Sequence, residues 1–89
     1  MLEVRDKKQF RKDYKKLKSS GKDLNKLAEI IGLLQEGKEL PENARDHDLI
    51  GDYEGYKECH IAPDWLLIYQ ITDTHVIVAR TGSHSQLFG

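Results

Sequence analysis

Several things are scarce in this chain, and each scarcity removes a class of protein. There is one cysteine, Cys59, in 89 residues. A disulfide scaffold and a multi-cysteine zinc cluster are therefore excluded, and the lone thiol suits a reducing compartment. No apolar run approaches the ~20 residues that span a bilayer. Met1-Leu2-Glu3-Val4-Arg5-Asp6 moves straight to charge, without the apolar core of a signal peptide. We expect a cytoplasmic chain with no membrane partner. There is no Gly-x-x-x-x-Gly-Lys loop for nucleotide phosphates. There is no Cys-x-x-Cys or His-Glu-x-x-His spacing either, so the expectation is no metal and no cofactor, although a His47/His60/His84 set is geometrically conceivable. The length admits one domain, over residues 1–89, whose core is small.

Charge is abundant but nearly balanced. Charged residues make up 33% of the chain and the net charge is -1. The balance hides a division: residues 1–38 carry +5 and residues 39–89 carry -6. The whole chain has no general attraction for nucleic acid, but its first half can present a local basic surface.

The apolar pattern changes along the chain. Met1 to Val4 is short enough for an edge strand. Asp6, with Gln9 three residues on, reads as a capping box. Phe10, Tyr14 and Leu17 then recur on one helical face, and Ser19-Ser20-Gly21 stops that helix. Leu24, Leu27, Ile31 and Leu34, widened by Ala28 and Ile30, form a second stripe that Gly37 and Pro41 end. Residues 42–54 are polar. Strands follow over Gly55 to Ile61, Trp65 to Ile71 and His75 to Thr81, separated by Ala62-Pro63-Asp64 and Thr72-Asp73-Thr74. Trp65 to Ile71 is nearly all apolar, which suits a central strand covered on both faces. The last eight residues read as a short tail. The expected fold class is α+β: a short N-terminal strand, two antiparallel helices, and a three-strand antiparallel meander with the helices packed on one face.

Alternation along the strands sorts the chemical side chains. Tyr56, Glu58 and His60 share one face, and Val76, Val78 and Arg80 share another. If the helices cover one side of the sheet, the opposite side would bring His60 and Arg80 together. His47 precedes the meander, Asp64 sits in its first turn, and His84 follows its last strand. Three histidines, a carboxylate and an arginine around one face suit phosphodiester cleavage. One group takes the ribose 2′-hydroxyl proton, an imidazolium protonates the leaving 5′-oxygen, and arginine stabilises charge on phosphorus. Histidine serves both proton roles because its unperturbed pKa is ~6.5. Taken singly, each of these residues has an ordinary reading. A histidine on a small domain is usually solvated, Asp64 forms a turn, Trp65 fills a core, and the lysines of the first helix line a wet face. Phe88 is a large ring in a tail, either a packing anchor or a stacking platform for a base.

Four ordered blocks make the constellation specific. They are Asp46-His47-Asp48-Leu49-Ile50-Gly51, Gly55-Tyr56-Lys57-Glu58-Cys59-His60-Ile61, Pro63-Asp64-Trp65-Leu66-Leu67-Ile68-Tyr69, and Arg80-Thr81-Gly82-Ser83-His84-Ser85-Gln86-Leu87-Phe88. Together they resemble the YafQ-type branch of the RelE toxin superfamily. The resemblance implies a bacterial type II toxin that enters the ribosomal A site and cuts translated mRNA by metal-independent 2′-hydroxyl attack. It implies that His84 is the general acid and Arg80 the transition-state stabiliser. His47, His60 and Asp64 bind the scissile region and activate the 2′-hydroxyl, with the base left open among them. Phe88 positions a nucleotide, and Trp65 is expected beside it. The implied partners are a cognate antitoxin protein, mRNA on the ribosome, and operator DNA only through the antitoxin complex. Two other readings remain: an inactive relative that only titrates an antitoxin, and a ribosome-independent RNase. Ribosome-directed toxins of this superfamily are commonly basic, so the net charge of -1 is a departure. Phosphate contact would have to come from the basic first half.

Overall fold

Two helices form where the 3.6-residue repeats place them. The computed structural model describes residues 1–44 and 46–89. Strand β1 (Glu3–Asp6) leads into α1 (Lys8–Ser19) and α2 (Leu24–Gln35). A short 3-10 turn, Glu42–Ala44, precedes the two-residue strand β2 (His47–Asp48), and a second, Gly51–Tyr53, leads to the meander. The meander is β3 (Lys57–Ala62), β4 (Trp65–Ile71) and β5 (His75–Gly82), closed by a helix α3 (His84–Phe88). The class is α+β, as expected, but the sheet has five strands in the order β1-β5-β4-β3-β2. It is mixed, because β1 runs parallel to β5 while the other pairs are antiparallel. Among the described residues, no helix is long and apolar enough to cross a membrane.

Gly21 and Gly37 sit just past the ends of α1 and α2 with φ of 79° and 68°. This is the left-handed position that glycine fills without a Cβ penalty. The start of α1 differs from expectation. Asp6 is the last residue of β1, and the Lys7 N–H continues the parallel pairing by donating to the Val78 carbonyl at 3.0 Å. Strand pairing thus takes the residue that would have capped the helix. Lys7 becomes the cap without a side-chain bond, and Gln9 bonds Asp13 instead. The buried stripe of α1 is Phe10, Asp13 and Leu17, with Tyr14 rotated towards solvent.

The sheet separates two unequal cores. On the helix side Phe10, Leu17, Leu27, Ile30 and Leu34 pack against Cys59, Trp65, Leu67, Tyr69, Val76 and Val78. On the other side Leu66, Ile68, Ala79 and Leu87 form a small layer edged by Leu49, Tyr53 and Tyr56. That second layer explains why β4 is apolar on both faces. Its cover is α3, where the sequence reads as a tail. The signal was present in Ser83-His84-Ser85-Gln86. The Ser83 N–H donates to Gln86 Oε1 at 2.8 Å and the Gln86 N–H to Ser83 Oγ at 3.2 Å, a reciprocal cap.

One irregularity positions the site. Tyr69 pairs with Val78 but Ile68 pairs with Arg80, so Ala79 is an extra residue in β5. Strict alternation would have kept Arg80 with Val76 and Val78 on the helix side. The bulge moves it to the register of Ile68, which also opposes Glu58 on β3. The sorting expected from alternation fails at this residue, and the bulge is what lets Arg80 and His60 share a side.

Candidate active site

The site lies on the thinly covered side of the sheet and is built from two groups of side chains. The first runs through imidazoles and carboxylates. Asp64, in the β3–β4 turn, accepts from both the backbone N–H and Nδ1 of His84, at 3.1 and 2.9 Å. An ionised carboxylate only accepts, so His84 carries its proton on Nδ1 in this pair and presents Nε2 outward. The His84 hydrogen bonds hold the exposed Asp64 carboxyl below the usual carboxylate range. The His60 ring lies 5.8 Å from the His84 ring, centre to centre. Its Nδ1 is buried and has no hydrogen-bond partner among the described residues. Glu58, two residues before His60 on β3, is 5% exposed and accepts from His47 Nε2 at 3.1 Å. The β2–β3 register sets that contact by pairing His47 with Glu58.

The second group is cationic and aromatic. Arg80 Nε and Nη2 donate to Asp13 Oδ2 and Oδ1 at 2.8 and 3.3 Å, and Nη1 donates to the Tyr53 hydroxyl at 3.3 Å. These bonds, that from Asp13 first, raise the already high pKa of the guanidinium. Tyr53 stands edge-on to Phe88, with ring centres 6.1 Å apart, and Phe88 is half exposed at the end of α3. Asp13 is 6% exposed and also accepts from Gln9 Nε2 and from the Thr81 N–H at 3.2 Å. The Thr81 donor exists because β1 pairs with β5 only as far as Val78, which leaves the edge of β5 open beyond it.

The structure thus brings His47, His60, Asp64 and His84 into one neighbourhood, with His60 between the His47–Glu58 and His84–Asp64 pairs, and links Arg80 to Phe88 through Tyr53. It does not bring Trp65 to them. Trp65 is 2% exposed, packs in the helix-side core, and its indole N–H donates to Thr81 Oγ1 at 2.9 Å. Expected beside Phe88 as a nucleotide-positioning ring, it is a core residue that shows its edge to a cleft. Three participants were not singled out from the sequence. Glu58 had a signal, because alternation placed it with His60. Asp13 had a weaker one, an acid on an apolar helical stripe. Tyr53 had none. Ligand atoms of Glu58, His60 and His84 lie within 4.8 Å of one another, a donor set that suits a transition metal. Two of those three side chains are already engaged, by His47 and by Asp64. The remaining nucleophile is inert: Cys59 is fully buried and burial pushes its thiol up to about 12.

Residues 2–89 match the family described as bacterial toxin of type II toxin-antitoxin system, YafQ. The mRNA interferase toxin YafQ of Escherichia coli K12 is 43% identical over 82 residues, covering 91% of this chain and 89% of that protein. The toxin in the crystal structure of the E. coli DinJ-YafQ toxin-antitoxin complex is 39% identical and superposes with a TM-score of 0.90 over 99% of this chain and 98% of that one. A copper-bound L66S mutant toxin from Helicobacter pylori is 42% identical, with a TM-score of 0.93 over 99% of this chain and all of that one. On the extent of these matches in both sequence and fold, the chain belongs to the YafQ family of bacterial type II toxins.

Proposed function

We infer that this single domain is the toxin of a type II toxin–antitoxin pair and an endoribonuclease that cuts translated mRNA in the cytoplasm. The observation that carries the chemistry is the Asp64–His84–His60 alignment, with two imidazoles 5.8 Å apart and one of them fixed by a carboxylate. A phosphodiester set between the rings meets a proton acceptor on one side and a donor on the other. His60 takes the ribose 2′-hydroxyl proton. The 2′-oxygen bonds to phosphorus and the P–O5′ bond breaks. His84, entering as the imidazolium with its Nδ1–H on Asp64, gives its Nε2 proton to the departing 5′-oxygen. The products are a 2′,3′-cyclic phosphate and a 5′-hydroxyl, and no atom is required from outside the RNA and the two imidazoles. Arg80 meets the charge that builds on the phosphoryl oxygens, and Phe88 offers a half-exposed ring to a base. Asp64 acts through His84 by holding its ring and tautomer, which makes it a positioning residue.

The partners follow from the same reading. A cognate antitoxin, as DinJ is for the E. coli relative, covers the toxin, and operator DNA is met only through that complex. Primer extension on a translated mRNA, with and without ribosomes, tests the function directly. Cuts at fixed codon positions that need ribosomes and vanish in His84→Ala are the expected outcome. Cutting of naked RNA at equal rate removes the ribosome requirement. No cuts by folded protein that still binds antitoxin identifies an inactive antitoxin-binding module.

A further inference from the structure

Beside the site, between the C-terminal half of α1 and the β3–β4 turn, lies a cleft of about 540 Å³. That is well within the range of small-ligand clefts. Asp64 and Arg80 line it, so it opens directly onto the site. Its charges are unevenly spent. Asp13 is saturated by Arg80, Gln9 and Thr81, and Asp64 is engaged by His84. Lys16 and Lys22 also line the cleft, and neither forms an ion pair with an acid among the described residues. Lys22 Nζ sits 6.0 Å from the centre of the Trp65 ring, and its charge helps, after the His84 hydrogen bonds, to hold the Asp64 carboxyl below its ordinary range. Two exposed ammonium groups thus face a cleft whose acids are already engaged in hydrogen bonds, one side chain away from the group that would protonate the leaving oxygen.

We propose that this cleft is a phosphate-binding subsite for the RNA strand next to the scissile bond, with Lys16 and Lys22 each taking a backbone phosphate. The proposal rests on the nuclease reading above. A basic groove that tracks the backbone is how single strands are held without sequence readout. It also resolves the charge departure. A chain with net charge -1 needs its phosphate contacts concentrated where the strand runs, not spread over the surface. The proposal separates the lysines of α1 into two sets. Lys16 lines the cleft, whereas Lys15 and Lys18 on the same helix do not.

The test compares two double variants of equal charge change, Lys16→Gln/Lys22→Gln and Lys15→Gln/Lys18→Gln. All four side chains are exposed, so both proteins should melt like wild type. One readout is binding of a short RNA with a 2′-deoxynucleotide at the cleavage position, measured against salt. The other is KM and kcat for cleavage on programmed ribosomes. The cleft variant should bind the RNA roughly tenfold more weakly near 0.1 M salt. Its slope of log affinity against log salt should fall by about 1.4, the value for two single-strand phosphate contacts. Its KM should rise by more than its kcat falls. The Lys15/Lys18 variant should change neither. Equal losses in both variants would mean general electrostatic attraction and overturn the subsite. No loss in the cleft variant overturns it too. A loss confined to programmed ribosomes assigns the phosphates to ribosomal RNA and overturns the substrate-strand assignment. Absence of cleavage by wild type in every assay is a different failure, that of the nuclease reading itself.

Discussion

The two sides of the sheet are built to different standards. The helix side is a continuous apolar layer from Phe10 to Val78, sealed by two helices of twelve residues each. The site side has four buried apolar residues, a five-residue helix and a rim of imidazoles, carboxylates and tyrosines. A chain this short can seal only one face generously. The other face is left thin, and the polar side chains proposed to do chemistry stand where the cover is thin. Stability should therefore depend mainly on one face and activity on the other, with Asp13 and Arg80 as the link between them.

The largest effect should come from the thick layer. Leu67 and Leu66 are both fully buried, on opposite faces of β4. Leu67→Ala should cost about 4 kcal/mol, because two helices prevent the cavity from closing. Leu66→Ala should cost nearer 2 kcal/mol, because α3 can settle onto the smaller residue. Urea denaturation of the two variants measures the difference, and equal losses would break the comparison.

Next comes a substitution that should reverse the pattern. His84→Ala removes a half-exposed side chain, so the urea midpoint should barely move. The cleavage rate should fall by ~10²–10⁴ as the proton donor is lost. An unfolded variant, or one that cuts normally, would remove His84 from its role.

Asp13→Asn should register on both sides. The carboxylate receives four hydrogen bonds from three residues, and an amide turns a donor towards the Arg80 guanidinium. About 1–3 kcal/mol of stability should go, the penalty of leaving buried polar groups poorly paired. Activity should fall as well, through Arg80. In an Arg80→Ala background the same substitution should cost little further activity. A full additional loss there would show that Asp13 acts only on the fold.

How much of this was legible depends on range. Local periodicity carried α1, α2 and β4, because each buries a stripe or run that repeats within a dozen residues. The four separated blocks named His47, His60, Asp64, Arg80, His84 and Phe88 as candidates, and the fold gathers them around one side of the sheet. What local pattern could not carry was set by pairing. The Lys7–Val78 bond moved the start of α1, and the extra residue Ala79 turned Arg80 over. Asp13 is buried because an open strand edge and a guanidinium 67 residues away need an acceptor. No property of the segment around Asp13 states that need. Helix α3 was a different failure: its capping box was written locally and read as a tail.

The smallest effect on stability should come from the pair at the centre of the proposed chemistry. Asp64 is held below its ordinary pKa of ~3.9 by His84. A lowered folded value means that the unfolded chain binds the proton more readily. The stabilisation is then complete above the ordinary value and is lost as pH falls through the lowered one. Because the carboxylate is exposed, solvent screens the pair and little stability is at stake. Asp64→Asn should melt almost like wild type at pH 7, and the remaining gap should close below about pH 4. The amide oxygen can still accept from His84, so the ring keeps its tautomer, but the variant no longer offers a negative charge to the imidazolium. The cleavage rate should therefore fall while the melting temperature does not. A shift in melting without a loss of rate would make this pair part of the scaffold, and the division between the two faces would not hold at its most exposed point.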